Sequence, residues 1–525
     1  MNERDMDRRG FLKVVGVATV AGMASASPAL AGARPSVAEP LTRVQKRLKT
    51  VRYAMSGKMS SSDIADPAFN TSQHDGRLIS AAYEQLSRYD EALRARPQLA
   101  EGWEPNAKAD MWTFRLRRGV RFHDGSRFTA KDVVYSFRRL LDPATASPGA
   151  GTLAFLDPDG IRAVGDYTVR IRLAQPNADL PLSLITRQSY IVPDGATKDD
   201  LRREANGTGA FRVKEFDPGQ GPTIFEKNKR YWGSATKSDV LRLVSISEPA
   251  ARVAALKRGQ VDIIEDPPGT ELRSLKAGPG TRTVTQVKGN MEVIAMQMDV
   301  EPFNDVRVRQ ALKLAMDRKK MLQLVAQGNG TLVNDIPIAS ILEYSVPGAP
   351  RGRDVSRAKA LLRQAGYEDG LKVKLSVSDV QARFIEIATV YKSMAADADI
   401  DVELEIGPGD TYWDNVWLKT PMFVSAWIAR PTDAMLALLL LSKADWNETH
   451  WRRAKWDTRL ATARRTLNYK KRQAIYRSLQ KEVIEQGGYL VPYMVNTIDA
   501  TRANVRGWKP SGTPFANFTQ IDFTS

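Results

Sequence analysis

LAEGWEPNAKADMWTFRLRRGVRFHDGSRFTAKDVVYSFRRLL, Leu99–Leu141, is the stretch from which the fold can be read. Trp112, Phe114 and Leu116 alternate with Thr113, Arg115 and Arg117, the period of a half-buried strand. Val120 and Phe122 carry the alternation past Gly119 into a second short strand, and Asp124-Gly125 is a turn dipeptide. Thr129 has Asp132 three residues on, the spacing of an N-cap with its capping-box partner. Val133, Val134, Phe137, Leu140 and Leu141 then recur at helical spacing until Asp142-Pro143 stops the helix. The order is strand, turn, short strand, capped helix.

Working outward, Thr50–Met55 is expected to be a buried strand, and Ala81–Leu86 the end of a helix carrying Tyr83 and Leu86. Thr168–Leu173 alternates as a strand after the Gly165-Asp166-Tyr167 turn, and Leu180–Ile185 reads as a short helix. Glu248–Gly259 is a helix with Gly259 as its C-terminal stop, followed by a strand at Val261-Asp262-Ile263. Asp305 suits an N-cap, Asp317 restarts a helix that Gly328 ends, and Ser356–Gly366 is another capped helix. Val373-Leu375-Val377, the amphipathic Arg383–Ala395 and Val402-Leu404-Ile406 form a strand, helix, strand series that predicts a βαβ crossover. The apolar run Met435–Leu441 is too short to span a membrane and reads as a buried helix; Asp457–Gln486 holds two helices, and Leu490–Tyr493 re-enters the core.

Composition narrows the chemistry. At 525 residues the chain has room for two to four domains, and 42% hydrophobic with 26% charged residues is a globular balance. It has no cysteine, which excludes disulfides, thiolate metal sites and cysteine nucleophiles. The net charge of +17 raises nucleic acid as a partner, but the basic residues are scattered and often lie near Asp or Glu. No G-x-S-x-G elbow, H-E-x-x-H helix or P-loop is present. Of the three histidines, His123 sits in the strand-turn element, where a structural hydrogen bond is expected; His74 and His450 are placed in loops as polar surface or cleft residues. No catalytic residue, cofactor or protein-held metal is therefore expected, and nucleic acid is not expected as a partner.

Several motifs together resemble family 5 extracellular solute-binding proteins, the receptors of peptide, opine and nickel-chelate ABC importers. They are Leu99-Ala100-Glu101-x-Trp103, Thr113-Phe114-x-Leu116-Arg117-x-Gly119-Val120-x-Phe122-His123-Asp124-Gly125 and Thr129-Ala130-x-Asp132-Val133-Val134-x-Ser136-Phe137. Pro302–Leu312 is a second fingerprint. Gly207-Thr208-Gly209-Ala210-Phe211 matches a family turn with Ala210 in place of the usual Pro, and Asn228–Gly233 another with Lys227 in place of Arg. Ala365-Gly366-Tyr367 is a further shared feature, and the likeness runs from about Val51 to Trp508. It implies a mixed α/β fold of the type II periplasmic-binding-protein kind, two lobes in three domains around a ligand cleft. The boundaries expected are 49–84, 201–290 and 491–525 for domain I, 85–200 for domain II and 291–490 for domain III. The lobe-joining crossovers are expected near Gly289 and near Leu490–Tyr493.

The start of the chain has the parts of an export signal. Asp7-Arg8-Arg9-Gly10-Phe11-Leu12-Lys13 has the twin-arginine form, Val14–Met23 is mildly apolar, and Ala29-Leu30-Ala31 is a cleavage site. The apolar run is about half the ~20 residues a spanning helix needs. Residues 1–31 are thus expected to be a Tat-type signal peptide and 32–48 a mobile lead-in. Without cysteine there is no lipid anchor, so a soluble periplasmic monomer is expected.

The resemblance also directs attention to Trp427-Ile428-Ala429-Arg430-Pro431-Thr432-Asp433. In peptide-binding members the corresponding segment resembles Trp-x-x-Asp-Tyr-x-Asp-Pro, whose first Asp captures the ligand's α-ammonium. Here that place is Arg430. A guanidinium cannot accept from an ammonium and favours a carboxylate. The resemblance then implies an anionic or zwitterionic ligand, peptide-like or opine-like, with its carboxylate on Arg430; the alternative is that Arg430 pairs internally with Asp433 or Glu448. Trp427, Trp446 and Tyr412 are candidates for an apolar wall, with Trp413 beside Tyr412, Asn447 as a donor and acceptor, and Asp433 completing the segment. The partners implied are that ligand, a membrane permease and its ATPase. A secreted hydrolase and a binder of a metal chelate are the competing functions.

Overall fold

The computed structural model describes residues 48–57, 60–381, 383–510 and 515–524. The expected signal peptide and all but the last residue of the lead-in lie outside them. The architecture hangs on one strand, Thr281–Met296, of 16 residues. At about 3.3 Å per residue it is roughly 50 Å long, enough to belong to two halves of a sheet. Its first part runs antiparallel to Met494–Arg502, from Thr281 opposite Arg502 to Val287 opposite Asn496. Its last part runs antiparallel to Met422–Trp427, from Met291 opposite Trp427 to Met296 opposite Met422. Between them the register slips, and Gly289 takes φ +76°. A Cβ there would lie 2.3 Å from the Ala339 Cβ, so both the turn and the close approach require glycine.

From one edge the sheet runs Ile400–Gly407, Leu371–Ser378, Met422–Trp427, Thr281–Met296, Met494–Arg502, Ile263–Glu265, Thr50–Met55, Val240–Ser245, Gln220–Lys227 and Phe211–Asp217. The βαβ crossover is present: Leu371–Ser378 and Ile400–Gly407 pair in parallel, joined by the helix Phe384–Ala396. Met435–Leu440 lies in the helix Thr432–Leu440, whose Met435, Leu436, Leu439 and Leu440 are buried. Apolar packing covers both faces of these central strands, which is why they read as near-continuous hydrophobic runs.

The Leu99–Leu141 stretch contributes to a separate antiparallel sheet, ordered Ala100–Pro105, Met111–Leu116, Thr168–Leu173, Leu156–Ala163. Trp112, Phe114 and Leu116 point into a core shared with Val133, Phe137 and Leu140 of the helix Ala130–Leu141. Thr129 and Asp132 form the capping box. Val120 and Phe122 are buried as expected, but they make no strand; the Asp124-Gly125 turn leaves only the isolated bridge Arg121 to Arg127.

Two further boundaries and the place of one histidine differ. The helix expected to end at Leu86 is Gln73–Ala82 and stops at Ala82. Gly207 and Gly209 press against the Ala82 carbonyl there, and the Gly209 N–H bonds it at 2.8 Å. The strand expected from Val261 is bounded at Ile263, although the Asp262 N–H already bonds the Arg52 carbonyl at 2.8 Å and its carbonyl accepts from the Arg502 N–H at 2.9 Å; its carboxylate is taken by the backbone N–H and guanidinium of Arg52. His74 is not in a loop but buried within the Gln73–Ala82 helix, its Nδ1 3.1 Å from Asp63 Oδ2. His123 is structural as anticipated, its two ring nitrogens each 3.0 Å from a carbonyl, of Ala205 and of Gly209. His450 sits at a turn against Asp299.

Candidate functional site

Strand direction locates the site. Glu265 lies opposite Asp499, and Asp499 opposite Val284 of the long strand. The Ile263–Glu265 strand therefore runs with the long strand, its carboxyl end aimed at Gly289. Met422–Trp427 runs against the long strand, so its carboxyl end, at Met291, is aimed at Gly289 from the other side. Val284 and Met291 are about 23 Å apart along the strand. Open α/β sheets bind ligands outside the carboxyl ends of their strands, and here two sets of ends converge on one crossing.

Trp427 ends its strand, and its ring is fixed from behind. Glu448, fully buried, accepts from Trp427 Nε1 at 2.9 Å, Trp417 Nε1 at 2.6 Å and Tyr489 Oη at 3.0 Å. Burial raises the Glu448 carboxyl above its usual range, and the Trp417, Trp427 and Tyr489 donors pull it back. Trp446 packs on Trp417 and Trp427 with ring centroids 5.7 and 5.9 Å apart, and Trp413 meets Trp417 at 6.0 Å. Trp446 is 41% exposed, Trp413 38% and Ile428 49%. Trp446 and Trp413, linked through Trp417, thus leave an open aromatic face, and the exposed Ile428 follows directly on the carboxyl end of the strand.

Arg430 stands next to that face, with its guanidinium carbon 5.9 Å from the Trp427 ring centroid. Its one hydrogen bond among the described residues goes to the Ile428 carbonyl, at 3.1 Å. Neither internal pairing is made. Asp433 accepts from Arg464 Nε at 2.8 Å and Tyr476 Oη at 3.0 Å, and Glu448 is filled by its three donors. Burial lowers the Arg430 pKa, the Tyr89 hydroxyl partly offsets this, and the positive charge of Arg187 lowers it further.

Three expected site residues are placed elsewhere by their partners. Tyr412 is fully buried and donates to the Ser376 and Val424 carbonyls at 3.2 and 2.8 Å, so it supports the wall from inside rather than lining it. Asn447 ties its own loop: Nδ2 donates to the Leu441 and Trp451 carbonyls, and Oδ1 accepts from the Trp451 N–H at 2.9 Å. Asp433 is held by Arg464 and Tyr476 and is a structural ion pair.

Sequence reasoning missed other groups. Tyr89 packs against the apolar cluster that holds Trp427 and Ala429, and donates to the Ile185 carbonyl at 3.2 Å. It also lines a cavity of about 1160 Å³ with Glu84, Trp232, Phe515 and Asn517. Arg187 follows two residues after Ile185. Glu292, opposite Ala426 on the long strand, gives one carboxylate oxygen to Arg383, while Oε2 is buried with no hydrogen-bond partner. An acid inside the apolar run Met291–Met296 is a signal that could have marked Glu292; nothing local marks Arg187 or Tyr89.

The match to known proteins is extensive. Residues 94–448 match the model described as bacterial extracellular solute-binding proteins, family 5 middle. Heme-binding protein A of Haemophilus influenzae is 31% identical over 307 residues, 54% of this chain and 56% of that protein. Di/tripeptide-binding protein 2 of Pseudomonas aeruginosa is 26% identical over 462 residues, 81% of this chain and 86% of that protein. The solved structure of AgaA from A. tumefaciens R10, in complex with agropinic acid, is 23% identical and superposes with a TM-score of 0.70, covering 91% of this chain and 99% of that one. The fold is that of the type II periplasmic binding proteins, and the chain belongs to the family 5 bacterial extracellular solute-binding proteins.

Proposed function

We propose that this protein is the periplasmic receptor of an ABC importer. It captures a carboxylate-bearing, peptide-like or opine-like solute and delivers it to a membrane permease and its ATPase. The single observation that carries the choice of ligand is the Arg430 guanidinium. It lies at the carboxyl end of the Met422–Trp427 strand, beside an open aromatic wall, with no carboxylate partner among the described residues. A partly buried cation without an anion is costly, and a ligand carboxylate meeting it bidentately offsets that cost. The di/tripeptide-binding and agropinic-acid-binding relatives support this solute class.

In this reading domain I comprises 49–84, 201–290 and 491–525, domain II 85–200 and domain III 291–490. The crossing at Gly289 acts as a hinge, and ligand binding stabilises the closed arrangement of the lobes. No bond in the solute is broken, and the receptor works as a monomer exported by the twin-arginine route. No helix among the described residues is long and apolar enough to cross a membrane.

The test is to release the small molecules from protein purified from its native periplasm, identify them by mass spectrometry, and titrate them into refolded protein. Arg430→Asp is expected to abolish binding of the anionic species with an unchanged circular-dichroism spectrum. Unchanged affinity, or turnover of the released molecule, overturns the reading.

A further inference from the structure

Far from Arg430, the start of the Gln73–Ala82 helix gathers three buried side chains that solute capture does not use. Asp63, His74 and Asp75 are 4%, 0% and 2% exposed, and one ligand atom of each lies within 4.8 Å of those of the other two. Asp75 is the capping-box residue of the helix, His74 precedes it, and Asp63 comes from the loop after the Thr50–Met55 strand. The sequence leads one to expect no protein-held metal, with His74 in a loop; folding sets it beside two carboxylates.

Each carboxylate is fixed by donors of the chain. The Ser60 N–H donates to Asp63 Oδ2 at 2.8 Å and the Ser72 hydroxyl to Asp63 Oδ1 at 3.3 Å. The Ile64 N–H donates to Asp75 Oδ1 at 3.0 Å and the Ser72 N–H to Asp75 Oδ2 at 3.3 Å. An ionised carboxylate has about four lone-pair sites, so both keep capacity for a further partner. Neither forms an ion pair with a lysine or arginine among the described residues, where His74 is the partner of Asp63.

The imidazole is turned for ligation. Its Nε2 is 3.1 Å from Thr223 Oγ1, and the tautomer that donates there leaves a lone pair on Nδ1. Nδ1 is 3.1 Å from Asp63 Oδ2 yet makes no hydrogen bond, because the distance is right and the direction is not. A cation among the three groups compensates a buried ring nitrogen that meets carboxylates without a proton aligned to them. Burial lowers the His74 pKa more than the Asp63 and Asp75 charges raise it, which favours the neutral, ligating form. Phe216 stacks on the ring at 5.9 Å while Thr223 holds its far nitrogen, as outer partners orient metal-bound histidines. One imidazole with two carboxylates suits zinc better than magnesium or calcium, which take oxygen ligands. In a tetrahedral shell with bonds of about 2.1 Å, neighbouring ligand atoms stand about 3.4 Å apart, close to the 3.1 Å between Nδ1 and Oδ2. Ser60, Ser61 and Ser62, next to Asp63 in the chain, are exposed and give an ion a way in.

We propose that Asp63, His74 and Asp75 are a resident site for one Zn2+ ion, bound by His74 through Nδ1. The ion clips the loop after Thr50–Met55 to the start of the Gln73–Ala82 helix. Thr223 and Phe216 belong to the outermost strands of the large sheet, Gln220–Lys227 and Phe211–Asp217, whereas Arg430 follows the Met422–Trp427 strand beyond the crossing. The ion is part of the scaffold and not of the solute, so the proposal stands or falls independently of the carboxylate reading.

The experiment is calorimetric titration of ZnCl2 into the untagged full chain after stripping with EDTA. One Zn2+ per chain is expected, bound at least about tenfold more tightly than Mg2+ or Ca2+. His74→Gln and Asp63→Asn are each expected to weaken it by at least about 100-fold, and His450→Gln, at the pair with Asp299, to leave it unchanged. Zn2+ should raise the unfolding midpoint of the wild type by a few degrees and leave that of His74→Gln where it was. Zinc X-ray absorption of the wild-type complex, which needs no variant, should show one imidazole in a shell of nitrogen and oxygen. No stoichiometric uptake overturns the proposal, as do uptake that survives in His74→Gln, tighter binding of Mg2+ or Ca2+, and a spectrum without imidazole. Uptake lost in His450→Gln but kept in Asp63→Asn assigns the ion to the His450–Asp299 pair and overturns it as well.

Discussion

Glu84 and Glu448 are buried glutamates that each hold two aromatic rings, and they do so to different ends. Glu84 accepts from Trp232 Nε1 at 2.6 Å, Tyr231 Oη at 2.9 Å and Thr208 Oγ1 at 2.9 Å. Glu448 accepts from Trp417, Trp427 and Tyr489 at 2.6 to 3.0 Å. Chemically the knots are near copies: an acidic acceptor taken out of water and repaid by three donors. Their surroundings separate them. Glu84 clasps the Gly207-Thr208-Gly209 turn to the Tyr231-Trp232 turn, two scaffold fingerprints. Glu448 locks a pair of tryptophans on which Trp446 rests in the open, beside an arginine with no carboxylate partner among the described residues. The same device is scaffolding in one place and, on the proposed reading, the foundation of a recognition wall in the other.

Breaking the second knot is expected to have the largest effect. Glu448→Leu leaves three donors without their acceptor and should cost about 4 kcal/mol, with loss of ligand binding. Urea unfolding measures it, and a cost below about 1 kcal/mol would show that the wall does not depend on Glu448.

The first knot should show itself through pH. Burial pushes the Glu84 carboxyl up to about 7 from 4.5, against the pull of the Trp232, Thr208 and Tyr231 donors. Between those values the folded state binds the proton and the unfolded chain does not. The contribution is therefore complete below pH 4.5 and declines as pH rises toward 7, by about 3 kcal/mol in all. Burial and the charge of Glu265 also raise Asp499 to about 7, so the overall slope is shared. The diagnostic quantity is the difference between wild type and Glu84→Gln, whose slope should be flatter. Equal slopes in the two would mean that the Glu84 carboxyl stays ionised.

Tyr412→Phe sharpens the division between wall and support. Losing a donor to two buried carbonyls should cost about 1 kcal/mol and leave ligand affinity unchanged. A drop in affinity without a drop in stability would return Tyr412 to the wall. The smallest change in stability is expected for Trp446→Ala, below about 1 kcal/mol, since the ring is 41% exposed and loses only its packing on Trp417 and Trp427. Its effect should fall on affinity for whatever the native periplasm supplies, and an unaltered affinity would detach the wall from binding.

Legibility followed the range of the interactions. Thr129 finds Asp132 within one turn, and Trp112, Phe114 and Leu116 share a face because strands have period two, so that helix and that strand could be placed in advance. The Ala82 stop could not, because glycines more than a hundred residues away impose it. In the site, Arg430 was recognisable as a departure from the peptide-binding pattern. Its freedom from Asp433 was not, since Asp433 is claimed by Arg464 and Tyr476 on later helices. Tyr412 and Asn447 have the right residue types for a ligand wall, and only their partners exclude them from it.

By itself the sequence determined the family, the periods and caps of most elements, and a cation where peptide receptors carry an acid, because each is written within a few residues or in an ordered motif. Only the tertiary structure decided which polar groups are spent on the protein and which keep no charged partner among the described residues. That accounting is closed by partners far apart in the chain, brought together where one long strand crosses between the halves of the sheet.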